Sequence, residues 1–101
     1  MTLPEAPNVL PLEGEIDLHV SPQVAASLGA MVDHRTPRIV VDLSAVTYID
    51  SSGLAVLIEG MKNGEAYAGE FILAGVQDTV RPIFELGGLA QVLFSFLPVV
   101  H

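Results

Sequence analysis

A parallel α/β sheet with crossover helices is the fold that this chain predicts, and three observations carry it. The run Ile39-Val40-Val41 with Leu43 is β-branched and apolar, the pattern of a buried strand. Val24, Leu28 and Met31 or Val32 recur at helical spacing behind Ser21-Pro22. The elements alternate β-α-β-α-β-α with mostly short connections, and strands joined through helices run parallel.

Taken in order, residues 1–7 hold Pro4 and Pro7 and form a loose lead-in. Val9, Leu10 and Leu12 make a first strand. Pro11 lacks an N–H for the ladder, so this is expected to be an edge or an irregular strand. Gly14-Glu15-Ile16-Asp17 is expected as a turn. Ser21 as cap and Pro22 at the first helical position start a helix that ends in Asp33-His34-Arg35-Thr36-Pro37. Ile39 to Leu43 is the central strand, followed by a short polar break and a second apolar segment, Val46 to Ile49. A second helix is expected over 51–63, ending in Asn63-Gly64. Phe71 to Ala74 is a third strand. Gln77 or Asp78 should cap a third helix with Val80, Ile83 and Phe84 on one face, Pro82 in its first turn and Gly87-Gly88 as its stop. Leu89 to Val100 reads as a short turn and a weak strand.

Composition narrows the function. The chain has 101 residues, enough for one core, and half of them are hydrophobic. It has no cysteine, hence no disulfide framework and no thiolate metal site. Four basic residues face twelve acidic ones, a formal charge of −8. Such a surface repels nucleic acid and anionic lipid, so neither is expected as a direct partner. No apolar run reaches the roughly 18 residues of a membrane span. The N-terminus carries Glu5 and no Lys or Arg, unlike a secretory signal.

Chemistry concentrates at Asp50-Ser51-Ser52-Gly53, where a strand end turns into a helix. Functional loops of parallel sheets sit at such ends. Free N–H groups and the helix dipole favour an oxygen anion there. A plain helix cap explains Asp and Ser at this place. A nucleophilic serine or a phosphorylation site are the functional readings. A hydrolase elbow would read Gly-x-Ser-x-Gly, but Ile49 and Asp50 precede Ser51. His19, His34 and His101 fall in a turn, a helix end and the C-terminus, so no base is placed near Ser51 and no metal-ligand pair is formed. On the second helix Leu54, Leu57, Ile58 and Met61 share a face that should pack on the sheet. Ser52, Ala55, Val56, Glu59, Gly60 and Asn63 point elsewhere. That smooth face is either buried too or a docking surface for a partner protein. Glu13, Glu15 and Asp17 alternate along an extended segment as a solvated edge.

The run Asp42-Leu43-Ser44-Ala45-Val46-Thr47-Tyr48-Ile49-Asp50-Ser51-Ser52-Gly53-Leu54 resembles the signature of the STAS domain family, whose best-known members are bacterial anti-sigma-factor antagonists. Gly14-Glu15-Ile16-Asp17, Gly69 to Ala74 and Val80 to Leu89 agree with it, so the likeness covers about residues 8–97. The resemblance implies a single α/β domain over residues 8–101, with a mixed, mostly parallel sheet of about four strands and helices packed on it. It implies a cytoplasmic binding module, not an enzyme, with no cofactor. In antagonists of this family a serine kinase that is also the anti-sigma factor phosphorylates the serine directly after the Asp, here Ser51. The unphosphorylated form binds the kinase and frees the sigma factor; a phosphatase resets the phosphorylated form. The family's Asp in the Gly-Glu-x-Asp turn maps onto Asp17. The expected partner face is thus Asp17, Asp50, Ser52, Gly53, Ala55, Val56 and Glu59. Tyr48 to Gly60 also resembles STAS domains that accompany lipid-transport ABC permeases and need not be phosphorylated. Family members usually open with an extra strand and many close with a further helix. With only residues 1–7 before the first strand and an end at His101, a minimal or trimmed domain is expected.

Overall fold

Four strands lie side by side in the order in which the chain makes them, and every pair is parallel. The computed structural model describes residues 8–86 and 93–95. Its elements are β1 (Val9–Ile16), α1 (Ser21–Asp33), β2 (Arg38–Ile49), α2 (Ser51–Glu65), β3 (Glu70–Ala74), α3 (Arg81–Leu86) and β4 (Leu93–Ser95). The antiparallel member of a mixed sheet is not among the described residues. The lead-in 1–7 and the Gly87-Gly88 stop lie outside them.

The core is built on β2. Ile39, Val41 and Leu43 are fully buried at the spacing of two that a pleated strand gives. Val46 and Ile49 are buried as well, but each follows at a spacing of three. The register explains the change. Pro11 pairs with Asp42 and Glu13 with Ala45; Gly14 pairs with Val46 and Glu15 with Tyr48. β2 therefore carries one extra residue at each of two places. Each extra residue returns the next apolar side chain to the same face. The expected polar break at Ser44-Ala45 is thus a bulge inside one twelve-residue strand.

That bulge is held from two directions. The Asp42 carboxylate accepts from the Ser44 N–H at 3.0 Å and from the Ser44 hydroxyl at 2.7 Å. Gln77 Nε2 donates to the carbonyls of Ser44 at 2.9 Å and Val46 at 2.8 Å. Gly75, at φ +71°, lies over Ser44 so closely that a Cβ would stand 2.8 Å from the Ser44 Cβ. Gln77 consequently does not cap α3. Its backbone carbonyl closes the turn onto Val80 and Arg81, and the helix begins at Arg81 with Pro82 in its first turn, where a missing N–H is tolerated. Val80 and Phe84 are buried as expected.

Three other expectations change. Gly14-Glu15-Ile16 is the end of β1, not a turn, because Ile16 is a core residue and Gly14 takes φ +73°. Ser21 is buried and does not cap α1. Asp17 serves that corner: its carboxylate accepts from the N–H groups of His19 and Val20, and its carbonyl from those of Val20 and Ser21. The inward line of α2 is Gly53, Leu57, Gly60 and Gly64, with Leu54, Ile58 and Met61 only half-buried. Gly60 is therefore inward, not outward: a Cβ there would meet Leu28 Cδ1 at 3.0 Å and Phe71 Cε2 at 3.5 Å. Small residues on that line let α1 and α2 lie close over the sheet.

Gln77→Ala should lower stability by about 1–2 kcal/mol in urea unfolding, the value of two hydrogen bonds with a part-buried acceptor. A loss under about 0.5 kcal/mol, the range of an ordinary surface substitution, would show that the bulge holds itself.

Candidate functional site

The last β2 residue, Ile49, is core, and the chain must then leave the sheet. Asp50 makes the corner with an extended backbone, φ −102° and ψ −175°. Its N–H donates to the Ile16 carbonyl at 3.1 Å, which joins the ends of β1 and β2. Its carboxylate Oδ1 accepts from the N–H of Ser52 at 2.9 Å, the N–H of Gly53 at 3.1 Å and the Ser52 hydroxyl at 2.5 Å. Two orphan donors of the first turn are satisfied by one oxygen, so the capping reading holds. The Ser52 hydroxyl holds this carboxyl below the usual carboxylate range, helped by the N–H of Gly53 and, to a lesser extent, by those of Ser52 and Leu18.

The two serines of the corner are not equivalent. Ser52 is half-buried with its hydroxyl committed to Asp50. Ser51, the first residue of α2, is exposed, and its hydroxyl makes no hydrogen bond among the described residues. Gly53 is buried beneath them. A Cβ there would lie 2.7 Å from the Ile16 carbonyl oxygen and 2.8 Å from Ile49 Cγ1. Only glycine lets the helix start settle onto the ends of β1 and β2, and this fixes the height at which Ser51 is presented.

The Leu18 N–H at the Asp50 carboxylate brings the β1–α1 turn, and so Asp17, to the same corner. Asp17 is half-buried with Oδ1 turned to its own turn, while Leu18 beside it is 68% exposed. Along α2, Ala55 and Glu59 are exposed and Val56 is half-buried. Glu13 and Glu15 are exposed on β1, as a solvated edge requires. The histidines do not gather: His34 Nδ1 lies 2.8 Å from the Ala30 carbonyl at the end of α1, His19 is in the turn, and His101 is outside the described residues. Among the described residues no helix is long and apolar enough to cross a membrane.

Sequence reasoning passed over Leu18 and the α1 side of the molecule. Leu18 gave no signal beyond its place after Asp17. On α1, Ala25 and Gly29 stand one turn apart as small residues, a pattern that hydrophobic periodicity does not weigh.

The family description "STAS domain" matches residues 1–101. The chain belongs to the STAS domain family. It is 33% identical over 82 residues to the anti-sigma F factor antagonist of Lysinibacillus sphaericus, covering 80% of this chain and 70% of that one. Its fold superposes on the Bacillus cell fate determinant SpoIIAA in the phosphorylated form with a TM-score of 0.70 and 28% identity, over 86% of this chain and 79% of that one. A sulfate transporter family protein from Wolinella succinogenes shares the fold alone, at a TM-score of 0.69 and 19% identity, over 95% of this STAS chain and 81% of that one.

The lowered Asp50 pKa fixes a sign. Its folded value lies below the unfolded one, so the charged cap stabilises above the unfolded pKa and is lost as pH falls through the folded one. The stability difference between wild type and Asp50→Asn, from denaturant unfolding, should be full at pH 7 and shrink below about pH 4. A difference that stays constant through that range would take the charge out of the cap.

Proposed function

We propose that this STAS domain is an anti-sigma-factor antagonist whose binding is switched by phosphorylation of Ser51. One observation carries the reading: at the capped corner the Ser52 hydroxyl is committed to Asp50, and the exposed Ser51 hydroxyl is left over. The naming of its Lysinibacillus relative as an antagonist supports the class, and the phosphorylated form of SpoIIAA supports the switch. The partner is a serine-kinase anti-sigma factor, with a phosphatase to reset the domain. The kinase supplies the phosphoryl transfer, so the domain itself needs no catalytic group. Its partner face is Asp17, Asp50, Ser52, Ala55, Val56 and Glu59, with Gly53 setting their height.

The physics of the switch is local. A phosphate at Ser51 adds about −1.5 to −2 charges. The start of α2 offers an anion roughly 0.3–1 kcal/mol, and repulsion from Asp50 and Asp17 opposes it. These effects are comparable at an exposed site, so the free domain keeps its fold. The complex differs, because a partner seated on this face would have to desolvate the phosphate beside two carboxylates.

Incubation with the serine-kinase anti-sigma factor of the same genome and ATP, followed by peptide mass spectrometry, should place one phosphate on Ser51 and none on Ser51→Ala. Ser51→Ala should then stay bound to the kinase. Label on Ser52 alone, or nowhere, would remove the mechanism. So would co-purification with an ABC permease that Ser51→Ala leaves unchanged.

A further inference from the structure

Between α1 and α2 runs an open groove of about 220 Å³, floored by Leu28 and Gly60. Its walls are Ala25, Gly29 and Val32 on one side and Val56, Glu59 and Asn63 on the other. Gly29 is the informative residue. It sits in the interior of α1, where glycine is the poorest helix former after proline. Nothing in the fold asks for it: its φ is not in the left-handed region, and a Cβ there would meet no atom within 4 Å. Gly60 differs, since Leu28 stands 3.0 Å from where its Cβ would be. The effect of Gly29 is to leave the space beside Leu28 and Gly60 open on the outside.

The charges select the occupant. Of the four basic residues, Arg38 pairs with Glu70, Arg81 pairs with Glu85, and the Arg35 guanidinium lies 6.0 Å from the Tyr67 ring centre; the fourth, Lys62, is exposed on α2 one turn after Glu59 and does not line the groove. Glu59, on the groove wall, makes no ion pair among the described residues. A second copy of this chain would double a formal net charge of −8, which disfavours self-association. A surface that offers an apolar side chain beside a Lys or Arg fits it instead.

We infer that the α1–α2 groove is the anchoring half of the docking surface, and that it takes an apolar side chain flanked by a basic one from the anti-sigma factor; this rests on the antagonist reading above. Val56 and Glu59 belong to both the groove and the face next to Ser51, so the two are continuous. Val56 lies about 8 Å and Asn63 about 18 Å along the helix from Ser51, at 1.5 Å per residue. The far part of the groove is beyond the roughly 8 Å reach of a surface charge at physiological salt. Ser51 switches binding, and the groove supplies affinity in a way that phosphate does not alter.

Calorimetric titration of the full chain with the serine-kinase anti-sigma factor of the same genome tests this with three variants. Gly29→Leu fills the groove and should weaken binding by about tenfold or more, with a melting temperature no lower than wild type. Gly29→Ala should weaken binding by less than Gly29→Leu, about two- to threefold, and raise the melting temperature. Glu59→Lys should weaken binding and flatten its salt dependence. Wild-type affinity in Gly29→Leu would overturn the groove while leaving the antagonist reading intact, whatever Glu59→Lys does, because Glu59 belongs to both surfaces. Failure of the wild type itself to bind would overturn both. A wild-type dimer that Gly29→Leu turns into a monomer, with kinase binding unchanged, would give the groove to a second copy and overturn the assignment.

Discussion

The Asp50 carboxylate stands where the end of β2, the start of α2 and the β1–α1 turn converge. One oxygen receives two backbone donors and a hydroxyl from α2, and the Leu18 N–H adds the turn. The Asp50 N–H meanwhile binds the last carbonyl of β1. The cap therefore fixes the relation of a helix to two strands. Ser51 is presented to solvent because its neighbours on both sides are used: Asp50 and Ser52 by each other, Gly53 by the ends of Ile16 and Ile49.

That corner depends on distant parts of the chain. β2 keeps Leu43, Val46 and Ile49 all facing inward only because two extra residues shift its phase, one before Val46 and one after it, and the first of them is held by Asp42, Gly75 and Gln77. With only one of the two shifts the alternation would turn Ile49 outward and rotate the start of α2; with neither, Val46 would leave the core. The same economy appears in α2. Glycines on its inward line bring it close to α1 and to Ile16, which leaves the outward side to Ala55, Val56 and Glu59.

Much of this was legible in the sequence where the signal is local. The apolar run at Ile39, the periodicity of Val24 and Leu28, and the Asp-Ser-Ser-Gly corner each declare themselves within a few residues. The continuity of β2 across Ser44-Ala45 was not legible, because its warrant lies in the register of β1 and in a side chain 31–33 residues away. Ser21 read as a cap by its type, but Asp17 already served that corner from the preceding turn. On α2 Leu57 is buried and Leu54, Ile58 and Met61 pack against the core as expected, but Gly60 was placed outward because hydrophobic periodicity gives no weight to glycine, and three of the four buried positions are glycines. At the site, the residue types pointed to capping and modification alike. Separating Ser51 from Ser52 required the hydrogen-bond geometry.

The central claim is that a rigid, capped corner offers one hydroxyl whose modification changes the surface and not the fold. Amide proton–nitrogen spectra of the domain before and after stoichiometric phosphorylation of Ser51 test it most directly. The account predicts shifts confined to the first turn of α2 and the β1–α1 turn, with the amides of β2 and β3 unmoved and the melting temperature nearly unchanged. Shifts spread across the whole sheet, or loss of the α2 signals, would contradict it.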